Sequence, residues 1–300
     1  MPNPSAGEVL IEVRAVGINP VETYLRSGSN PNLALPYTPG TDASGVVLAV
    51  GRSVRHIKVG ARVYTSSTIS GSYAEYTLCK ENQVHELPSN MKYDDGAAIN
   101  VPYSTAYRAL FHRARPKEGD SVLIHGSSGG VGIAAVQLAR EGGLAIIATA
   151  GTDRGCDLAL REGAHHVFNH QKAGYQEEIL ALTEGEGVDI ILEMLANINL
   201  GNDIRLLNHG GRVIVIGSRG TVEINPRDLM TRDADIRGMQ LFNTPPGEMQ
   251  GIHRALLGGF EKGALRPIIG QRFRLYEAAQ AHEAVLRPGA FGKIVLSVEI

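Results

Sequence analysis

The sequence predicts an α/β chain in two parts: a doubly wound parallel sheet, and a β-rich lobe assembled from both ends of the chain. Three observations carry this reading. From Asp120 onward, short apolar runs alternate with stretches of helical spacing, the pattern of successive β-α-β units. The runs VLI, AIIATA, DIIL and VIVI are continuously apolar, as strands covered on both faces must be. Before Tyr93, short runs with period two sit between Gly and Pro residues, which reads as a compact all-β unit.

The first strand is the clearest of the β-rich part. Val9, Ile11, Val13 and Ala15 alternate with Glu8, Leu10, Glu12 and Arg14, which predicts a half-buried strand. Gly17, Pro20, Gly28, Pro31, Pro36, Pro39 and Gly40 punctuate the next stretch of chain, and further short strands are predicted at 44–50, 62–64 and 73–79. Residues 95–112 read as a broken helix. Beyond them, strands are predicted at 121–125, 145–150, 166–168, 189–194, 212–216 and 236–242, with helices at 130–141, 153–162, 175–183 and 200–207 between them. A final helix at 276–286 and a strand at 293–298 close the chain. The expected division is a β-rich lobe of residues 1–95 and 243–300 and a nucleotide-binding domain of residues 96–242.

Composition narrows the function. At 300 residues, two domains are expected. Glycine is frequent, 36 of 300 residues against about 7% on average, which implies many tight turns and close backbone approaches. A net charge of −2 gives no field for nucleic acid or an anionic membrane. The two cysteines, Cys79 and Cys156, exclude a disulfide scaffold and a four-cysteine zinc site. The longest apolar runs, such as residues 144–150, fall far short of the roughly 18 residues of a membrane span. The opening MPNPSAGEVLIEVR has no apolar signal core, so a cytoplasmic setting is expected.

The sharpest local signal is Ser121-Val-Leu-Ile-His-Gly-Ser-Ser-Gly-Gly-Val-Gly132. A strand runs into Gly126-x-x-Gly129-x-x-Gly132 and then into a helix whose Val131, Ala134, Ala135 and Leu138 share one face. Glycines let the backbone turn and approach a pyrophosphate, whose charge is favoured at a helix N-terminus. Such a turn can also exist without a ligand, but its place in a β-α-β series points to a dinucleotide. A site for NAD wants a carboxylate at the end of the second strand, about 20 residues on. That place holds Gly151, and Asp153 comes later beside Arg154. The vacancy leaves room for a 2′-phosphate, which Arg154 could pair with unless it is simply a solvated helix residue.

These residues resemble the medium-chain dehydrogenase/reductases, and within them the zinc-free NADPH:quinone oxidoreductases of the zeta-crystallin group. The matching stretches are Gly17-Ile-Asn-Pro-Val-Glu-Thr-Tyr24, Pro36-Tyr-Thr-Pro-Gly40, Thr65-Ser-Ser-Thr-Ile-Ser-Gly71, Tyr73-Ala-Glu-Tyr76, the glycine loop, Glu193-Met-Leu-Ala-Asn197, Val215-Ile-Gly-Ser-Arg-Gly220 and Glu223-Ile-Asn-Pro-Arg-Asp228. The resemblance implies a Rossmann domain inserted into a GroES-like catalytic lobe, with the active site in the cleft between them. It implies NADPH held by Tyr24, by Gly126, Ser128, Gly129, Gly130, Val131 and Gly132, by Gly151, His170 and Asn199, by Ile216, Gly217, Ser218 and Arg219, and by Met239, Gln240 and Leu241. Asn19 and Tyr24 are the expected catalytic residues on the substrate side. A quinone substrate, with ortho-quinones favoured, a homotetramer and a cytoplasmic location are implied as well.

No metal is expected. Where zinc-dependent relatives of this superfamily place Cys and Gly-His-Glu, this chain has Asn19 and Gly40-Thr41-Asp42. His112, His125, His165, His166, His209, His253 and His282 show no metal spacing and read as structural or exposed. The chain departs from its relatives in three ways: it lacks an N-terminal β-hairpin before Glu8, it has Asn30 where they carry a tyrosine near the quinone, and it has Gly155 where some carry a basic residue. Without the hairpin, an exposed strand edge is expected near residues 8–16. Two other functions stay open: a zinc-free enoyl reductase, and an NADPH-binding lens crystallin or AU-rich mRNA-binding protein with little turnover. No basic stripe or stacking-aromatic motif supports RNA binding.

Overall fold

The computed structural model describes residues 2–299 and divides into two compact units, Met1–Val101 with Leu257–Ile300, and Pro102–Leu256.

The first unit is built on a seven-stranded sheet in the order β12-β13-β1-β2-β3-β5, with β4 also paired to β1. Strand β1 (Glu8–Ile18) leads into helix α1 (Pro20–Arg26), and then come β2 (Asp42–Val50), β3 (Arg62–Thr65), β4 (Tyr76–Lys80) and β5 (Val84–Glu86). Pairing is antiparallel except between β12 (Ile269–Arg274) and β13 (Lys293–Ser297). β1 pairs with β2 along nearly its full length. Its other side pairs with β4 at Glu8–Glu12 and with β13 at Ala15–Ile18. The expected free edge near residues 8–16 is therefore absent, because two strands distant in sequence cover it. One core cluster gathers Val9, Ile11, Val47, Val63 and Cys79, and a second gathers Val13, Val16, Ile18, Ala281, Ile294 and Leu296. Gly17 is required where β1 passes Ala97, because a Cβ there would lie 2.0 Å from the Ala97 carbonyl oxygen.

Residues 95–112 are helical but irregular. Helix α2 (Tyr93–Gly96) is succeeded by π-helical turns at Asn100–Ser104 and Arg108–Ala114, which flank the short α3 (Thr105–Tyr107). Pro102 explains the first irregularity, since it donates no backbone hydrogen bond.

The second unit is a six-stranded parallel sheet in the order β11-β10-β9-β6-β7-β8. Its strands are β6 (Ser121–Ile124), β7 (Ala145–Ala150), β8 (His166–Asn169), β9 (Val188–Glu193), β10 (Leu207–Val215) and β11 (Asp235–Gly238). Helices α4 (Gly130–Glu141), α5 (Asp153–Glu162), α6 (Tyr175–Leu182), α7 (Ala196–Leu206) and α8 (Pro226–Met230) connect them. This is the doubly wound strand order, with the direction of travel reversing beside β6. The core joins Leu123, Ile147, Ile191 and Val213 of the sheet to Ile179, Leu200 and Ile204 of the helices.

Several boundaries differ from the sequence reading, β10 among them, which starts at Leu207. α7 starts at Ala196, because Ala196, Leu200 and Ile204 form one buried face that the polar residues between them obscured. β11 stops at Gly238, and a short 3-10 turn occupies Leu241–Asn243. After it, α9 (Pro246–Glu261) extends the helical region past residue 243, so the unit boundary falls at 256/257. A last helix, α10 (Ala278–Ala284), precedes β13. Among the described residues, no helix is long and apolar enough to cross a membrane.

Candidate functional site

In the second unit, the residues singled out for the nucleotide cluster at one end of the sheet. Gly126 comes directly after β6 with φ +59°, a conformation that favours glycine. Ser127 and Ser128 are buried, and the Ser127 amide and hydroxyl both donate to the Thr149 carbonyl of β7 at 2.9 Å. The Gly129 amide donates back to the Gly126 carbonyl at 3.0 Å, so the chain closes into a tight turn before α4. Gly129 is the N-cap of α4 and carries no side chain to cap it, which leaves the first amides of a 12-residue helix for another acceptor. Gly130 and Val131 are half-buried in its first turn. Gly132 is needed for packing: a Cβ there would lie 2.2 Å from the Gly126 carbonyl oxygen.

The neighbouring strand ends supply the rest. Gly151 lies just past β7, where a Cβ would meet His170 Nε2 at 2.9 Å. His170 is half-buried after β8, its amide bonded to the Ala150 carbonyl, and burial lowers its affinity for a proton. No carboxylate ends β7. Asp153 instead accepts from Asn169 at 3.0 Å and lies 3.4 Å from Lys172, contacts that hold it below the usual carboxylate range. Gly155 is packed against Ser128, where a Cβ would lie 3.0 Å from the Ser128 side chain and would need it to give by a few tenths of an ångström. Arg154 is exposed in the first turn of α5.

Asn199 on α7 donates to Glu193 at 3.2 Å. The amides of Ile216 and Gly217, after β10, donate to the Glu193 carbonyl at 2.8 and 3.2 Å. Ser218 and Arg219 are exposed, the Arg219 amide held by Asn197 Oδ1 at 2.8 Å. After β11, Met239 and Leu241 are buried and Gln240 is exposed. Each of these segments leaves the carboxyl end of a parallel strand, where open α/β sheets bind ligands.

Sequence reasoning missed the hub of this arrangement. Glu193, at the end of β9, is fully buried. It lies 3.7 Å from His125 Nε2, and the same nitrogen is 2.9 Å from Asp203 Oδ1. His125 is thus a hydrogen-bonded member of a buried acidic cluster. Burial beside Asp203 pushes the Glu193 carboxyl up to about 8, although His125 pulls the other way. For His125, the two carboxylates outweigh burial and favour the imidazolium. The available signal was IILEML, an apolar strand ending in a carboxylate, since acidic residues are seldom buried unpaired.

Asn19 and Tyr24 belong to the first unit. Asn19 is buried after β1 as the N-cap of α1, and Tyr24 is half-buried on that helix. Asn19 Nδ2 donates to Asp42 Oδ2 at 3.0 Å, and its backbone amide donates to Glu22 Oε2 at 2.6 Å. The Lys293 ammonium donates to Asn19 Oδ1 and lies 3.6 Å from Asp42 Oδ2. Where the resemblance places zinc ligands, this chain therefore has a buried lysine–aspartate pair, with Thr41 half-buried beside it. Glu22 completes the network. Burial pushes its carboxyl up to about 7 against the pull of Lys293, and the Tyr73 hydroxyl, 2.9 Å from His282 Nε2, donates to it at 3.0 Å. Nothing in the local sequence announces Lys293 as internal, because its partners lie more than 200 residues away.

Comparisons agree with this architecture. Residues 5–89 match the alcohol dehydrogenase GroES-like domain, and residues 130–257 match the family described as zinc-binding dehydrogenase. Human quinone oxidoreductase is 52% identical over 298 residues, which cover 99% of this chain and 91% of that protein. An NAD-dependent alcohol dehydrogenase superposes with a TM-score of 0.92 at 27% identity, covering 100% of this chain and 94% of the other. Escherichia coli quinone oxidoreductase complexed with NADPH gives 0.88 at 27% identity, covering 98% and 93%. A shared fold thus extends to alcohol dehydrogenases, while half-identity over the full chain falls on quinone oxidoreductases. The chain belongs to the quinone oxidoreductase group of the medium-chain dehydrogenase/reductase family.

Proposed function

We propose that this protein reduces quinones with NADPH and needs no zinc ion to do so. The observation that carries the proposal is the cradle at the carboxyl ends of β6 to β11, a glycine turn facing an uncapped helix N-terminus, in a member of this family. NADPH is the cofactor and supplies the reducing equivalents when bound. The turn from Gly126 to Gly132 and the start of α4 receive the pyrophosphate. Gly151, Arg154 and His170 receive the 2′-phosphate, because no carboxylate repels it at the end of β7 and Asp153 is already engaged by Lys172. Asn199, the 216–219 segment and the 239–241 segment bound the remainder of the cofactor. On the substrate side Tyr24 serves the quinone, a phenol placing a hydrogen-bond donor toward oxygens that gain charge during reduction. Asn19, expected from the sequence to share that role, already spends its amide on Glu22 and Asp42 and instead holds the turn that carries Tyr24.

Zinc independence rests on the donor set. Asn19 is committed to Glu22, Asp42 and Lys293, and the Lys293 ammonium already balances Asp42. An amide and a cation-paired carboxylate make a poor zinc site. A homotetramer and a cytoplasmic location rest on family likeness and are part of the same proposal. The net charge of −2 gives mRNA binding no support.

The test is anaerobic oxidation of NADPH and of NADH with ortho-quinones, with and without a chelator. Each charge-assisted contact to the 2′-phosphate is worth roughly 1.5–3 kcal/mol, so NADPH should be preferred at least tenfold. Chelation should leave the rate unchanged. Equal use of both cofactors, stoichiometric zinc in active protein, or faster turnover of enoyl thioesters than of quinones would overturn the corresponding part of the proposal.

A further inference from the structure

Glu193 joins two of the segments that the proposed function assigns to NADPH. Its carbonyl accepts the Ile216 and Gly217 amides, and its carboxyl accepts from the Asn199 amide and the Leu195 backbone. Behind it, His125 immediately precedes the glycine turn and donates its own amide to the Leu192 carbonyl at 3.1 Å. The far side of the imidazole meets Thr149 Oγ1 at 3.0 Å.

The charges of this cluster do not balance with every group ionised. Asp203, Glu193 and His125 are all buried, and none of the described hydrogen bonds or ion pairs brings a lysine or arginine side chain to the two carboxyl groups. An imidazolium balances one carboxylate, and Asp203 at 2.9 Å is its partner. The second carboxyl must then keep its proton. Asp203 Oδ2 is buried and has no hydrogen-bond partner, so it is the natural acceptor for that proton. A neutral Glu193 can donate to Asp203 while its other oxygen accepts from Leu195 and Asn199.

We propose that Glu193, held as a neutral acid against Asp203, is a positioning residue that sets Asn199 and the Ile216–Gly217 backbone to receive NADPH, and that loss of its proton puts two like charges side by side, drives its carboxylate away from Asp203 and shifts these segments with it. This rests on the assignment of these segments to the cofactor. Its consequence is an alkaline limb in NADPH binding, near the value of about 8 to which burial beside Asp203 raises Glu193. The other titratable groups facing the cluster are His125, Tyr175 on α6 and, toward His125, His170.

The experiment measures NADPH dissociation constants by fluorescence from mildly acidic to alkaline pH, on the full chain. Wild type should weaken about tenfold per pH unit above the midpoint, the behaviour of one linked proton. Glu193→Gln mimics the neutral acid, with a carbonyl to accept and an NH2 to donate. It should lose the alkaline limb, its dissociation constant staying flat over the range in which wild type weakens. Asp203→Asn removes the charge that keeps Glu193 protonated, so its midpoint should move to lower pH, which preserves a test if Glu193→Gln does not fold. An alkaline limb unchanged in Glu193→Gln, or a midpoint unmoved in Asp203→Asn, overturns the proposal. No NADPH binding by wild type at neutral pH would instead overturn the cofactor assignment.

Discussion

At the scale of single residues, Tyr24 is the sharpest test of the substrate side. If the reaction runs without zinc, as proposed, hydrogen-bond donors must stabilise the charge that develops on oxygen. Tyr24→Phe keeps the ring and removes only the hydroxyl. We expect roughly 1–2 kcal/mol lost from kcat/KM, about five- to thirtyfold, with an unchanged melting temperature. Turnover equal to wild type would leave Tyr24 as a packing residue. Asn19 is a less clean probe, because replacing it also disturbs Glu22, Asp42 and Lys293.

At the scale of the β6–α4 element, two glycines separate folding from binding. Gly129 has φ −86° and ψ 172°, extended backbone that any residue adopts. Gly132 has no room, since a Cβ would meet the Gly126 oxygen at 2.2 Å. Gly129→Val should therefore fold and lose NADPH binding, because the side chain blocks the approach of the pyrophosphate. Gly132→Val should destabilise the second unit by about 1–3 kcal/mol or more through overpacking, visible in its melting curve before any ligand is added. Quinone reduction surviving in a Gly129→Val protein with no measurable NADPH affinity would undo the assignment of the glycine turn.

At the scale of the whole molecule, buried acids set how stability depends on pH. Glu22 has its carboxyl raised from 4.5 to about 7, so it favours the folded state below 4.5 and that contribution is lost as pH rises through 7. Glu193 and His125, both raised, act in the same direction. Asp189 and Glu248 are lowered and act oppositely, losing their contribution as pH falls below the ordinary carboxylate range. Burial lowers the His85, His170 and His282 imidazoles, which oppose the raised acids over much of the same range, so the contribution of Glu22 is read from the difference between wild type and a variant. Glu22→Gln should flatten the decline between about pH 4.5 and 7 by an amount on the order of 1–3 kcal/mol. Melting temperatures of wild type and variant across that range check it. Parallel curves would mean that Glu22 is ionised throughout.

Much of the fold was legible in the sequence because its causes are local. Continuous apolar runs made β6, β7 and β9 readable, and α4 and α5 fall at the residues expected from their spacing. The glycine turn was legible too, since its conformation and close packing demand glycine at Gly126 and Gly132. Only the tertiary structure decided what stands around these elements. β1 has no free edge because β4 and β13 reach it from distant parts of the chain. Lys293 is internal because Asn19 and Asp42 await it across the sheet. Glu193, read from the sequence only as part of a family motif, is a hub because His125 after β6 and both Asn199 and Asp203 of α7 converge on it. Backbone conformation and strand burial are properties of neighbours in sequence. The charge state of a buried acid depends on which groups the fold brings within a few ångströms, and no local pattern encodes that.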